Sequence, residues 1–345
     1  MRIVMLGLSI TSSWGNGHAT NFRALAGALR ARGHSVLFLE RDRPWYAASR
    51  DFTAPWVHLY EDVEELERRR DMVAGADIVI VGSYVPDGCE VAEWVLETAG
   101  GVTAFWDIDT PVTAAKLDAG DYEYLSPALV GRFDLYLSFT GGPLLAALGA
   151  RRPTPFYCVV DPALYRPLPV AERWRLGYIG TYSPDRQPKV DELFLAPARS
   201  RGDLRFAAAG PQYPPDVAWP PNVDRFESLA PGEHAAFYCA QRFTLNVTRV
   251  EMVEAGWSPS VRLFEASACG VPVISDWWEG LDAFFEPDRE ILIARDADDV
   301  LRALELPPAR AREIGSAARA RVLRQHTADE RARELLELVR EKALA

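Results

Sequence analysis

Residues 258–276 read SPSVRLFEASACGVPVISD, and their order is helix, stop, strand. Ser260 is a residue type that caps helix N-termini. Leu263 and Phe264 supply an apolar face, and Ala266, Ser267 and Ala268 are small enough to let a helix lie close on a sheet. Gly270 stops the helix, and the apolar run VPVIS follows at once. A helix passing directly into a buried strand is half of a parallel βαβ unit.

The same alternation extends outward in both directions. Towards the C-terminus comes EILIA (290–294); towards the N-terminus come FTLNV (243–247), LRFAAA (204–209) and LGYIG (176–180). A second series occupies the first half: RIVMLGLSI (2–10), SVLFLE (35–40), DIVIVG (77–82), VTAFW (102–106) and LYLSF (135–139), with helical spacing at 21–31, 61–72, 90–98 and 143–148. Strands alternating with helices at this spacing predict parallel, doubly wound α/β sheets. Between 151 and 173 the pattern breaks, with five prolines from Pro153 to Pro169. The chain, 345 residues long, therefore divides into a Rossmann-like domain over 1–160, a linker over 161–172, a second Rossmann-like domain over 173–325 and a C-terminal helix over 326–345. Each domain of roughly 150 to 170 residues is large enough for its own core.

Composition narrows the functional classes. A net charge of −11 disfavours nucleic acid as a partner and requires any anion site to be built from individual arginines. No apolar run approaches the roughly 20 residues of a membrane span, and the N-terminus lacks a small-residue cleavage site, so a cytoplasmic protein is expected. The four cysteines (Cys89, Cys158, Cys239, Cys269) form no CxxC pair and read as buried, reduced thiols. The sequon Asn246-Val247-Thr248 is then without consequence.

In open parallel sheets ligands bind beyond the carboxyl ends of the strands. After 176–180 stands Gly180-Thr181-Tyr182-Ser183-Pro184-Asp185-Arg186, a glycine, hydroxyls and an arginine at a helix start, suited to a diphosphate but also to an ordinary capped turn. Arg262 and Glu265, three apart, share a helix face. They make either a surface ion pair worth under about 1 kcal/mol, or a site in which Glu265 accepts from ribose hydroxyls and Arg262 meets phosphates. After the first strand, Gly15-Asn16-Gly17-His18 can present backbone N–H groups to a phosphate or sugar, with His18 either reactive or merely opening a helix. Asp107 and Asp109 end the 102–106 strand. One can take a proton or steady a developing cation; alternatively Asp109 caps the next turn and Asp107 is buried and hydrogen-bonded. Aromatics crowd the loops (Trp14, Trp45, Tyr46, Tyr84, Trp106, Trp277, Trp278), and of these Trp14 and Trp106 are the candidates for stacking on a sugar ring.

Several stretches together carry a resemblance: SSWGNGHAT (12–20), LERDRPWYA (39–47), FWDIDTP (105–111), GTYSPDRQP (180–188), FTLNVTR (243–249) and SPSVRLFEA (258–266). They resemble the CgeB family of spore-maturation-type glycosyltransferase-like proteins, and 262–276 is similar to the donor-binding helix and strand of retaining GT-B glycosyltransferases. The resemblance covers residues 1 to about 305. It implies two Rossmann-like domains facing each other across a cleft, a last helix crossing back, and transfer of a sugar from a nucleotide-sugar to an unidentified acceptor without metal or other cofactor. It gives Glu265 the nucleotide ribose and puts Arg186 in the place of the lysine on the donor diphosphate, with Gly17, Gly180, Thr181, Ser260 and Arg262 completing the donor site. Asp107, Asp109 and His18 are then the catalytic candidates. Two positions depart from the pattern: Trp257 replaces a glutamate eight residues before Glu265, and Thr181 replaces an arginine. Asp107-Ile108-Asp109 also spells the DxD of metal-dependent GT-A enzymes, but such chains lack a second doubly wound domain.

Other readings fit parts of the chain. An epimerase or hydrolase of nucleotide-sugars, or a non-catalytic sugar-binding protein, fits the same fold. A dinucleotide-dependent oxidoreductase is approached by Gly15-x-Gly17 and by Glu40, 23 residues after Gly17, although Thr20 stands where the third glycine belongs.

Overall fold

The computed structural model describes residues 1–13 and 18–344. The chain forms two compact units, Met1–Val159 with Ala328–Ala345, and Val160–Thr327.

Unit one is a seven-stranded parallel sheet: β1 (Arg2–Gly7), β2 (Ser35–Arg41), β3 (Val57–Tyr60), β4 (Ile78–Gly82), β5 (Val102–Asp107), β6 (Leu135–Ser138) and β7 (Pro153–Pro155), in the order β3-β2-β1-β4-β5-β6-β7. Its central strands are buried on both faces, as continuous apolar runs require; every residue of β4 is buried. Unit two is a six-stranded parallel sheet: β8 (Trp174–Ile179), β9 (Phe206–Ala209), β10 (Val223–Phe226), β11 (Gln241–Asn246), β12 (Val273–Ser275) and β13 (Leu292–Ile293), in the order β10-β9-β8-β11-β12-β13. Both orders reverse direction beside the first strand, between β1 and β4 and between β8 and β11. That switch point is where loops diverge and leave room for a ligand.

Three strands have no counterpart among the apolar runs: β3, β7 and β10. All three are sheet edges, where one side needs no partner and a polar or proline-bearing sequence is tolerated. The prolines of β7 lie within the stretch from 151 to 173 where the strand–helix pattern breaks. They survive because the bonds to β6 are made by their neighbours: Tyr136 N donates to Arg152 O (3.0 Å) and Phe156 N to Ser138 O (2.6 Å). The missing N–H groups of Pro153 and Pro155 are never called on.

Seven helices matter here: α1 (His18–Ala31), α2 (Gly88–Thr98), α3 (Thr110–Asp118), α4 (Pro231–Cys239), α5 (Val261–Ala268), α6 (Pro308–Gln325) and α7 (Ala328–Leu344). The C-terminal helix expected over 326–345 begins at Ala328, after a break at His326-Thr327 where Val160 N donates to the His326 carbonyl (3.0 Å). α7 belongs to unit one, where it packs against α1. Trp106, a stacking candidate by sequence, is core: it is 1% exposed and met edge-on by Phe22, Phe139 and Phe156. An indole at mid-sheet is worth more buried than offered to a sugar.

In unit two, Gly210 sits where β9 ends and its backbone all but touches the end of β8. A Cβ there would stand 1.9 Å from Gly180 O, and φ is +147°. Overpacking against backbone cannot relax by rotamer change, so Gly210→Ala is expected to cost about 2–3 kcal/mol. Urea unfolding of the two proteins measures this; equal midpoints would contradict the geometry.

Candidate functional site

The carboxyl ends of β8 and β11 and the start of α5 meet around one carboxamide. Asn246 is fully buried. Its Oδ1 accepts from Ser260 Oγ (2.7 Å) and Arg262 Nη1 (2.7 Å), while its Nδ2 donates to Ser275 Oγ (2.9 Å) and Thr248 Oγ1 (3.2 Å). Asn246 therefore serves as an internal brace, and no glycan could reach it.

Ser260 holds the N-cap position of α5 with extended backbone (φ −76°, ψ 148°), but its hydroxyl makes no cap bond because Asn246 takes it. The first N–H groups of α5 thus carry no side-chain cap. Such donors, at the positive end of a helix dipole, attract an anion. Arg262 does not pair with Glu265. Its Nε donates to Ile179 O (2.6 Å), its Nη1 to Asn246, and a Cβ built on Gly180 would lie 3.1 Å from its Nη2. The guanidinium is locked at the end of β8 with one nitrogen towards Gly180. Arg186 folds back onto the Thr181 carbonyl, and Ser183 bonds Asp185, whose other oxygen accepts from Val250 N (3.1 Å). The Gly180–Arg186 loop is thereby closed on itself.

Glu265 is 8% exposed. Tyr238 Oη donates to its Oε2 (3.1 Å), while the nearby Tyr165 hydroxyl is paired with His234 Nδ1 (3.2 Å). Burial, with this carboxylate beside them, pushes both phenols up, so they remain donors. The Tyr238 phenol takes one of the roughly four acceptor positions of a carboxylate. Trp257, at the position of the absent glutamate, has φ +50° and donates its N–H to Glu279 O (2.7 Å). Asp276, the end of the 258–276 stretch, accepts from Thr248 N and Oγ1 (2.9 and 2.8 Å), and burial raises its pKa.

In unit one the two aspartates separate. Asp107 is fully buried; its Oδ2 accepts from Tyr136 Oη (2.7 Å), and its Oδ1 from Thr113 Oγ1 (2.8 Å) and Asp109 N (3.3 Å). Burial pushes its pKa up to about 6 despite these donors. A carboxylate so enclosed has no exposed oxygen for a substrate or a metal, so the structure shows Asp107 as a buried, hydrogen-bonded group. Asp109 is half-buried at the start of α3. It makes no cap bond; its Oδ2 accepts from Tyr84 Oη (3.0 Å). Tyr84 has φ +63°, a strained left-handed conformation for a non-glycine residue. Its ring lies between Tyr124 (4.8 Å) and His18 (5.4 Å). Burial lowers the His18 pKa to about 3, which keeps the imidazole neutral, and its Nδ1 is buried without a hydrogen-bond partner. His18, Tyr84 and Asp109 therefore form one cluster beyond β4 and β5, with Asp107 beneath it. Tyr84 was noted in the sequence only as one loop aromatic among several. Trp14 and Gly17 lie outside the described residues.

Glu40 resolves the oxidoreductase reading. It is fully buried, and its carboxylate accepts from Ile10 N (2.6 Å), Thr11 N (2.9 Å) and Thr11 Oγ1 (2.6 Å). It braces the loop after β1, and its complete burial keeps it from the surface where a ribose would bind.

Comparison with known proteins agrees with this layout. The fold is that of the GT-B glycosyltransferases. The chain superposes on sucrose-phosphate synthase from Thermosynechococcus elongatus with a TM-score of 0.71 at 15% identity, covering 99% of both chains. It superposes on Anabaena HepE in complex with UDP and glucose with a TM-score of 0.69 at 13% identity, covering 99% of this chain and 100% of that one. AviGT4, a glycosyltransferase involved in avilamycin A biosynthesis, gives 0.65 at 18% identity over 99% and 98% of the two chains. Residues 186–337 match the family described as glycosyl transferase-like. No curated protein matches the chain.

The folded protein holds the Asp107 proton more tightly than the unfolded chain does. Its raised pKa means stability is greatest below the unfolded value near 4 and falls as pH rises through about 6. The fall amounts to about 3 kcal/mol at most. Asp107→Asn is expected to lack it, so the stability difference between variant and wild type should grow in favour of the variant from about pH 4 to about pH 7. Urea unfolding across that range tests the burial of Asp107; parallel curves would refute it.

Proposed function

We propose that the chain is a glycosyltransferase related to the CgeB-like proteins, which binds a nucleotide-sugar in unit two and passes the sugar to an acceptor hydroxyl without a metal ion, retaining configuration by the same resemblance. The observation that carries this reading is the buried Glu265 carboxylate. It stands on α5, behind uncapped N–H groups and the fixed Arg262 guanidinium, at the switch point of a doubly wound sheet. The match over residues 186–337 to glycosyl transferase-like proteins includes all three, and a structural neighbour holds UDP-glucose.

The roles follow from what each group has left to offer. Glu265 accepts from two ribose hydroxyls with the positions that Tyr238 leaves open. The α5 N–H groups and the remaining Arg262 nitrogen meet the diphosphate. Gly180 lets the backbone of the β8 loop approach, and Arg186 keeps that loop in shape with its charge still nearby. In unit one, Asp109 is the carboxylate that takes the acceptor proton, because Asp107 is enclosed. Tyr84 orients Asp109, and the neutral His18 serves as a hydrogen-bonding group rather than a cation.

A thermal-shift screen against UDP-, GDP-, TDP- and ADP-sugars tests the donor. One of them at 100 times its dissociation constant should stabilise the protein by about 2.7 kcal/mol, and Glu265→Ala should weaken that binding at least about tenfold. If none binds, the proposal fails. Asp109→Asn is expected to bind donor normally while losing about 100-fold or more in transfer rate, whereas full transfer by that variant would remove Asp109 from the mechanism. Donor turnover with no acceptor present would instead mark a hydrolase.

A further inference from the structure

The run LERDRPWYA (39–47) has no role in the donor site or in the Asp109 cluster. It carries the end of β2 into a short helix (Pro44–Ala47) at the carboxyl edge of the unit-one sheet, beside the end of β3. Arg41 Nη1 lies 2.6 Å from Asp87 Oδ2, and Arg43 Nη2 lies 3.8 Å from the same oxygen. Two guanidinium groups thus share one carboxylate. The Nε atoms of Arg41 and Arg43 and the hydroxyl of Tyr60 are buried with no hydrogen-bond partner. Tyr60 is 3% exposed, pairs with Arg41 across β2 and β3, and has the Arg41 guanidinium 5.9 Å from its ring. Burial raises its pKa, so the phenol stays protonated and remains a donor.

Each buried donor without a partner costs about 1–3 kcal/mol, and three in one place call for an explanation. Asp87 has φ +56°, and its side chain leaves the N-terminus of α2 uncapped while reaching the two arginines. A strained residue that forgoes its cap to hold two guanidinium groups side by side maintains an arrangement rather than neutralising it. Convergent arginine forks at the carboxyl edge of a parallel sheet match an oxoanion in geometry as well as in charge. At the rim, Trp45 is 56% exposed, with the Arg43 guanidinium 5.4 Å from its ring.

We propose that Arg41, Arg43 and the Tyr60 hydroxyl form a binding site for an oxoanion, a carboxylate or a phosphate group, carried by the acceptor, with Asp87 positioning the arginines. That the anion belongs to an acceptor rests on the transferase reading; the site itself does not. Trp45 then offers its face to the ring that bears the anion.

The test uses the full-length protein saturated with UDP, to keep anions off the donor site, and titrates inorganic phosphate, glucuronate and neutral glucose by calorimetry. Wild type should bind one of the two anions and not glucose. Arg43→Gln should weaken that binding at least about tenfold, and Arg43→Lys, which keeps the charge without the fork, should fall between. Preference for phosphate identifies a phosphorylated acceptor, and preference for glucuronate a carboxylated sugar. Equal anion binding by wild type and Arg43→Gln, or no anion binding by wild type, overturns the proposal. Should Arg43→Gln fail to fold, equal anion binding by wild type and a folded Arg43→Lys does the same. Anion binding that depends on Arg43 in a protein that takes no nucleotide-sugar would keep the site and discard the transferase reading.

Discussion

Strands buried on both faces deliver their loops at the carboxyl edge with backbone groups that water cannot reach, and something in the protein must satisfy them. Here buried polar side chains do so. Glu40 takes two N–H groups and a hydroxyl from the loop after β1. Asn246 joins the ends of β11 and β12 to the start of α5. Asp276 holds the segment after β11 through Thr248, and Asp107 ties β5 to β6 and α3. These groups fix the loops from below, so the side chains above them are placed by the scaffold and not by the ligand. A pre-set site of this kind avoids the ordering cost of binding.

This constraint also explains which parts of the site could be read from the sequence. Parallel doubly wound sheets were legible because double burial demands long apolar runs, and those runs occur wherever a strand is central. Edge strands escape the demand, so VHLY, PTP and VDRF gave no signal. The position of a charged residue at a strand end was legible too, but its orientation was not. Glu40, Asp107 and Asp109 look alike in sequence, each a carboxylate at the carboxyl end of an apolar strand. Only packing shows that the first two face down into loop backbone while Asp109 meets Tyr84. Trp106 failed for the same reason: an indole one residue from a candidate carboxylate can point to the opposite face of the sheet, and this one joins the core.

The Asp107–Asp109 pair illustrates how position in the fold sets chemical role. Both sit within three residues of one strand end, and the enclosed member has its pKa raised to about 6. Replacing it changes stability with pH; replacing its neighbour removes the carboxylate that accepts from the Tyr84 hydroxyl. Tyr84 accepts a left-handed backbone to make that bond, a local cost of order 1–3 kcal/mol. Strain held at this point, beside a neutral buried histidine, is what distinguishes the cluster from an ordinary helix start.

The two units handle their arginines differently, and the difference follows from the constraint on loop ends. In unit two, Arg262 spends two nitrogens on Ile179 O and Asn246, and Arg186 returns to the Thr181 carbonyl. Those cations complete the scaffold. In unit one, the loop after β1 is already satisfied by Glu40, so Arg41 and Arg43 are not needed for backbone. They converge on a single carboxylate with donors unused. A guanidinium that closes a loop is explained by the loop; one that is buried with open donors is explained by what it receives. That makes the carboxyl edge of β2 and β3 a candidate binding surface beside the switch point of unit two, and an anionic group is the chemistry its open donors fit.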